Sequence, residues 1–318
     1  METLFIDRKD ITLSVDNSRL MVQYPDRSRN SLPMARIKTI VAGSGLNLDS
    51  NVLRMLDKHR INLVITNARD SKAICVTTPH RHGSAERRLR QYQLLCNPLA
   101  CLLFSRRLMR LKLHGQLQCI RQWLSKRPDQ RYALTGHLES LELACQQSAQ
   151  ARSLAQLRGI EGRAAASYFQ ALALNFAPSL GFNSRNKRPP RDPVNVVLSL
   201  TYSLLQHEAI NAINAFGLDP LLGFYHQLDY GRESLACDLI EPLRVRADAF
   251  ALSLFSTTLL NSSQFSIQAD GSCRMNKTGR SHFYSKYFEH APIWRSQLRK
   301  MAAIYVSQLD RYTRPSHG

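Results

Sequence analysis

Residues 80–91 read HRHGSAERRLRQ, and the chain changes character across them. Before this stretch lie short runs rich in β-branched residues, namely TLFID, ITLSV, RLMVQY, ARIKTIVA, INLVITN and AICVTT, separated by polar turns. Runs of this kind, bounded by turn formers, predict strands. A single amphipathic run, SNVLRMLDKHR near 50–60, predicts a helix with Asp49 or Ser50 as its N-cap. Beyond residue 91 the apolar residues recur at helical spacing, and strand signals fade except around FSIQADGSCRM, 265–275. The expectation is an α+β protein: a small N-terminal β-rich domain over 1–83, then a larger all-α helical domain over 84–318.

Charge divides along the same line. The 318 residues carry 43 Lys and Arg against 24 Asp and Glu, a net charge of +19 and a pI near 10.1. Residues 1–83 are nearly balanced, with 13 basic against 8 acidic, whereas 84–158 hold 13 against 4. Arg87, Arg88 and Arg90, then Arg106, Arg107, Arg110 and Lys112, interleave with leucines on a broad helical face. A solvated face that only aids solubility is the plain reading of one such run; the scarcity of acids favours a nucleic-acid surface over it and over an anionic membrane.

No stretch of 18 apolar residues occurs, and LLCNPLACLLF (94–104) is broken at Asn97-Pro98, so no spanning helix is expected. METLFIDRKD lacks the basic start and apolar run of a signal peptide, and the expected location is cytoplasmic. The seven cysteines (75, 96, 101, 119, 145, 237, 273) are odd in number and form no CxxC pair. They are expected to be buried free thiols in a reducing compartment.

Helical periodicity stops at FAPSLGFNSRNKRPPRDPVN (176–195), a basic loop through Arg185, Lys187, Arg188 and Arg191. Asp192 as N-cap and Pro193 at the first helical position then start a helix that should run to Gly217. Cationic loop residues beside a helix N-terminus form a natural phosphate cradle.

Chemistry is carried by three short stretches. Glu161 lies in RGIEGRAAASYF, where Gly162 and Ala164–Ala166 reduce side-chain bulk and admit a close approach; a solvent-facing glutamate is the plain alternative. His226, in LLGFYHQLDY, taken alone reads as a satisfied core histidine. SLACDLIEPLR (234–244) places Asp238 and Glu241 on one face of an apolar helix, with Pro242 directly after. Two like charges disfavour each other's ionisation, and a divalent cation reverses that. A salt bridge from Glu241 to Arg244 or Arg246 is the structural alternative. Glu161, His226 and Glu241 together offer two hard oxygens and one imidazole, a set suited to Mg²⁺ or Mn²⁺. The chain has no HExxH and no GxxxxGK[ST], which disfavours zinc hydrolysis and nucleotide phosphoryl transfer.

RGIEGRAAASYF, NSRNKRPPRDPVNVVLSLTYSLL, GLDPLLGFYH and SLACDLIEPLR, in this order and over nearly the whole chain, resemble the CRISPR-associated adaptation integrase family, the first Cas protein (Cas-one). The resemblance implies a β-rich dimerisation domain over 1–83 and a helical catalytic domain over 84–318. It implies a metal-dependent DNA endonuclease and integrase that joins captured spacer DNA to the CRISPR repeat by 3′-hydroxyl transesterification. The metal ligands it implies are Glu161, His226 and an acid of the DLIEP segment. Glu241 is the first choice, and Asp238 a second catalytic carboxylate that ligates or orients. Arg185, Lys187, Arg188 and Asn195 are implied to lie at the DNA. Expected partners are double-stranded DNA (protospacer and CRISPR repeat), a second copy of the chain, and a small second adaptation protein, Cas-two. The competing readings are a branched-DNA nuclease or mobile-element integrase, and a non-enzymatic nucleic-acid scaffold.

Overall fold

The computed structural model describes residues 3–6, 8, 10–43, 45–66, 73–77, 85–226 and 228–313. The chain divides into two compact units, Met1–His82 and Gly83–Gly318, the first strand-rich and the second helical. Residues 80–84 of HRHGSAERRLRQ lie outside the described residues, and from Ala85 the chain is helical.

The first unit holds two sheets. One joins β1 (Thr3–Ile6), β5 (Thr39–Gly43), β7 (Asn62–Thr66) and β8 (Ala73–Thr77) in that order. Its first three strands are parallel, and β8 runs antiparallel to β7. The other sheet orders β4 (Arg29–Pro33), β3 (Arg19–Gln23), β2 (Ile11–Asp16) and β6 (Leu46–Leu48). Alternation is what closes this unit: Ile11, Leu13, Leu20 and Val22 point inward and are buried with Ile40 and Leu63. Helix α1 (Ser50–Lys58) starts at Asp49, whose carboxylate accepts from the Val52 N–H at 2.8 Å. The strands β4 and β6 were not among the expected runs, because RNSLP and LNL have too few β-branched residues to stand out.

The second unit contains α2 (Ala85–Leu95), α3 (Pro98–Lys126), α4 (Arg131–Gln150), α5 (Leu154–Ala173), α6 (Pro193–Ala215), α7 (Ser234–Ser256) and α8 (Lys277–Thr313). Asn97 caps α3 through Ala100 N at 3.0 Å, with Pro98 at the first position. The hairpin β9 (Phe265–Ile267) and β10 (Cys273–Met275) falls on the 265–275 stretch. Helix α3 packs on α4, α5 and α7, while α6 packs on α7 and α8. An aromatic cluster of Phe250, Phe283, Tyr287 and Trp294 joins α7 to α8.

The chain is helical to Thr313, with Tyr305 and Leu309 buried. Of the six cysteines whose side chains are described, all are free, but Cys96 is exposed and Cys119 and Cys145 only half-buried. Among the described residues no helix is long and apolar enough to cross a membrane.

Candidate active site

Helix α7 supplies the floor of the site. Nearly every side chain from Ser234 to Leu243 is buried, Asp238 fully and Glu241 to 4% exposure. The helix continues unbroken through Pro242, so the proline does not end it. Asp238 faces the loop between α6 and α7. It accepts from the backbone N–H groups of Phe224 (2.7 Å), Tyr225 (3.1 Å) and His226 (3.0 Å), and from His226 Nδ1 at 2.6 Å. Both carboxylate oxygens are thus engaged in shaping the 224–226 turn and fixing the imidazole. Gly223 lets that turn lie against α7, since a Cβ there would meet the Ser234 carbonyl carbon at 2.6 Å.

His226 therefore directs Nε2 away from Asp238 and toward Glu241, 3.7 Å from its Oε1. With Nδ1–H donated to Asp238, the Nε2 lone pair is left free to ligate or to take a proton. Glu241 Oε1 also accepts from Arg244 Nε at 2.8 Å. Its Oε2 lies 2.7 Å from Lys112 Nζ on α3, a close ion pair. The same ammonium donates to Glu161 Oε1 on α5 at 2.5 Å. Three helices and one loop thus bring Glu161, His226, Asp238, Glu241 and Lys112 together.

The charges explain one another. Burial alone pushes the Glu241 carboxyl up, but the Arg244 guanidinium and Lys112 ammonium beside it hold it well below the usual carboxylate range. Burial alone lowers Lys112, and the Glu241 and Glu161 carboxylates outweigh that and raise it. Arg244 is seated on the Tyr202 ring at 4.6 Å, and Arg185 faces the same ring at 5.4 Å. The Tyr202 hydroxyl donates to Asp248, whose carboxyl burial pushes up to about 6 against the hydrogen bonds from Tyr202 and Tyr168.

Among the described residues no three His, Cys, Asp or Glu side chains are drawn close enough to hold a metal ion as they stand. The Lys112 ammonium spans the gap between the two glutamates instead. The donors nonetheless suit a divalent cation: the Glu161 and Glu241 carboxylates and an oriented imidazole, around a place that the Lys112 ammonium already neutralises.

Several expected nucleic-acid contacts are instead internal. Asn195 is fully buried: Asp192, its N-cap partner, accepts from both its backbone N–H and its Nδ2, and its Oδ1 accepts from Arg185 and Asn186 N. It pins the loop and has no surface for DNA. Arg185 is likewise bonded to Asn195 and Ser199 and stacked on Tyr202. Lys187 and Arg188 are exposed. Of the basic runs, Arg87 donates to Phe216 O, Arg90 pairs with Asp310, Arg106 donates to Ala151 O, and Lys112 is in the site. Arg107 and Arg110 remain exposed. Nothing lies within 4 Å of a Cβ built on Gly162, so no protein backbone approaches there. A polar cavity of about 620 Å³, lined by Arg152, Arg163, Gln147, Gln150 and Gln156, opens along α4 and α5.

The sequence reading missed Lys112 as a site residue. Its signal was present, since Lys112 recurs with Leu108, Met109, Leu113 and Gln116 on the buried face of α3.

A β-rich unit followed by a helical unit with a buried carboxylate–imidazole–ammonium centre is the class that this fold and site define. Residues 4–289 match the family described as CRISPR associated protein Cas1. The chain is 34% identical over 320 residues to the CRISPR-associated endonuclease Cas1 1 of Thermodesulfovibrio yellowstonii, covering 98% of this chain and 99% of that one. Its fold is shared with a CAS1 protein from Thermotoga maritima (TM-score 0.84, 21% identity, 97% of each chain). It is also shared with a casposase bound to an integration product (TM-score 0.82, 22% identity, 97% of this chain and 91% of that one). The chain belongs to the Cas1 family.

Proposed function

We propose that this protein is a divalent-metal-dependent DNA endonuclease and integrase of CRISPR adaptation. The observation that carries the reading is the convergence of Glu161, His226 and Glu241 from α5, the 224–226 turn and α7. The name of the Thermodesulfovibrio relative, an endonuclease, supports the nuclease class. Glu161, Glu241 and His226 Nε2 would hold Mg²⁺ or Mn²⁺. Bound there, the ion supplies Lewis-acid stabilisation of the charge that builds on a phosphoryl group.

The rest is done by the chain itself. Asp238 acts through His226, fixing its tautomer and the turn that carries it. Arg244 keeps Glu241 ionised and oriented. Exposed Lys187 and Arg188, beside the N-terminus of α6, hold the DNA backbone. The reaction is a transesterification: the 3′-hydroxyl of the captured DNA loses its proton as it attacks a repeat phosphodiester, one P–O bond forms, one breaks, and the leaving 3′-oxygen takes up a proton. No protein nucleophile is required. The expected assembly is a homodimer with a Cas-two-type partner on duplex DNA, with the β-rich unit supplying the dimer contact; a Cas6-RT-Cas1–Cas2 complex and a TtCas1–DNA complex, both of similar fold, support it.

The test is strand transfer with purified protein, Mn²⁺ and a repeat-containing duplex. Glu161→Ala and Glu241→Ala should each abolish transfer while DNA binding persists. Transfer surviving in either variant removes the site assignment.

A further inference from the structure

Lys112 is the one feature of the site that the metal-dependent reading does not use. Its side chain lies within α3, 6% exposed, and its Nζ is 2.5 Å from Glu161 Oε1 and 2.7 Å from Glu241 Oε2. A lysine is buried at a cost unless paired, and this one is paired to both glutamates that would hold a divalent ion. An ammonium and a divalent cation cannot both occupy the space between those oxygens, because like charges at that separation repel strongly in a low-dielectric interior.

We propose that Lys112 is a built-in counter-ion that a divalent cation must displace on binding, and that the displaced ammonium then takes a phosphate of the DNA. The inference rests on the metal-dependent reading above.

The two cations on Glu241 are held differently, and that difference assigns the roles. Arg244 is fixed by its Nε bond to Oε1 and by its seat on Tyr202. A rigid, stacked guanidinium stays. Lys112 meets the other oxygen, Oε2, at 2.7 Å, with no ring of the described residues beneath it, at the end of a flexible four-carbon stem. Oε2 is therefore the oxygen that can be surrendered to an ion. Arg185 shares the Tyr202 ring with Arg244, and exposed Lys187 and Arg188 follow it in the chain. The ammonium leaving the glutamates thus enters an already cationic edge, where the missing partner is an anion. Until the metal arrives, Lys112 neutralises two buried carboxylates that would otherwise repel each other.

The test measures Mn²⁺ binding to the full-length protein without DNA, by the EPR signal of free Mn²⁺. Lys112→Met should bind Mn²⁺ at least tenfold more tightly than the parent; unchanged or weaker binding overturns the proposal. A second measurement uses the parent alone, so it stands even where Lys112→Met fails to fold. Acylation of amines, read by mass spectrometry on the Lys112 peptide, should be slow without metal. It should accelerate severalfold with Mn²⁺ and slow again when a DNA duplex is added; a rate indifferent to Mn²⁺ overturns the displacement. Mn²⁺ bound equally by parent and Lys112→Met removes only the role of Lys112. Mn²⁺ bound by neither removes the metal reading itself.

Discussion

Replacing Asp238 by alanine isolates the element on which the geometry of the site depends. The carboxylate accepts three backbone N–H groups and the His226 ring, all within 3.1 Å, and is fully buried. Removing it orphans three main-chain donors in a buried turn at ~1–3 kcal/mol each, and water entering the vacated space offsets part of that. The net loss should be about 4 kcal/mol, which for a helical unit of this size lowers Tm by roughly 8–16 °C. Thermal unfolding followed by circular dichroism, in EDTA so that no metal contributes, measures it. Asp238→Asn keeps the shape but turns an NH₂ toward N–H donors, so it should fall between parent and alanine. A Tm for Asp238→Ala within about 2 °C of the parent would refute the reasoning, because the turn would then hold without its acceptor.

Other outcomes follow from single positions. Gly223→Ala drives a Cβ to 2.6 Å from the Ser234 carbonyl carbon and should cost about 1–3 kcal/mol, read as a lower urea midpoint. Gly115→Ala, inside α3, puts its Cβ 3.5 Å from Val245 Cγ2, an ordinary contact, and should stabilise by about 0.5–1 kcal/mol; a lower urea midpoint contradicts it. Burial lowers His207 from its usual 6.5 to about 4, so the unfolded chain takes up the proton first. Its stability contribution is full above pH 6.5 and lost as pH falls toward 4, by at most ~3 kcal/mol, and His207→Leu should remove that slope. Burial raises Asp248 from 3.8 to about 6, the opposite case: its contribution is full below pH 3.8 and lost as pH rises through 6. Asp248→Asn should therefore flatten a decline in stability between pH 4 and 6.

Legibility tracked the range of the interaction. The strands β1, β2, β3, β5, β7 and β8 and helix α6 from Asp192 to Gly217 were readable because alternation, capping and a positive-φ stop are written within a few residues. The short strands β4 and β6 were not, since their pairing to β3 and β2 supplies what their own residues lack. The candidate acids and His226 were nameable one at a time, yet Asp238 and Glu241, three residues apart, could not be assigned separate tasks. One turned out to face the 224–226 turn and the other Lys112. The resemblance implied that Asn195 and Arg185 lie at the DNA; their bonds to Asp192, Ser199 and each other draw them inward.

The sequence by itself determined the α+β division and the cationic excess, because composition, period and capping are local properties; the candidate carboxylates and imidazole came as a set only from the family resemblance. Tertiary structure alone decided which oxygen meets which cation. Lys112 and Glu161 are 49 residues apart, and their pairing depends on how α3 packs between α5 and α7. That packing also turned a row of similar basic residues into different things: a buried counter-ion at Lys112, a backbone tie at Arg106 and an exposed charge at Arg110. Burial sets what each charge costs, and burial is a property of the folded arrangement.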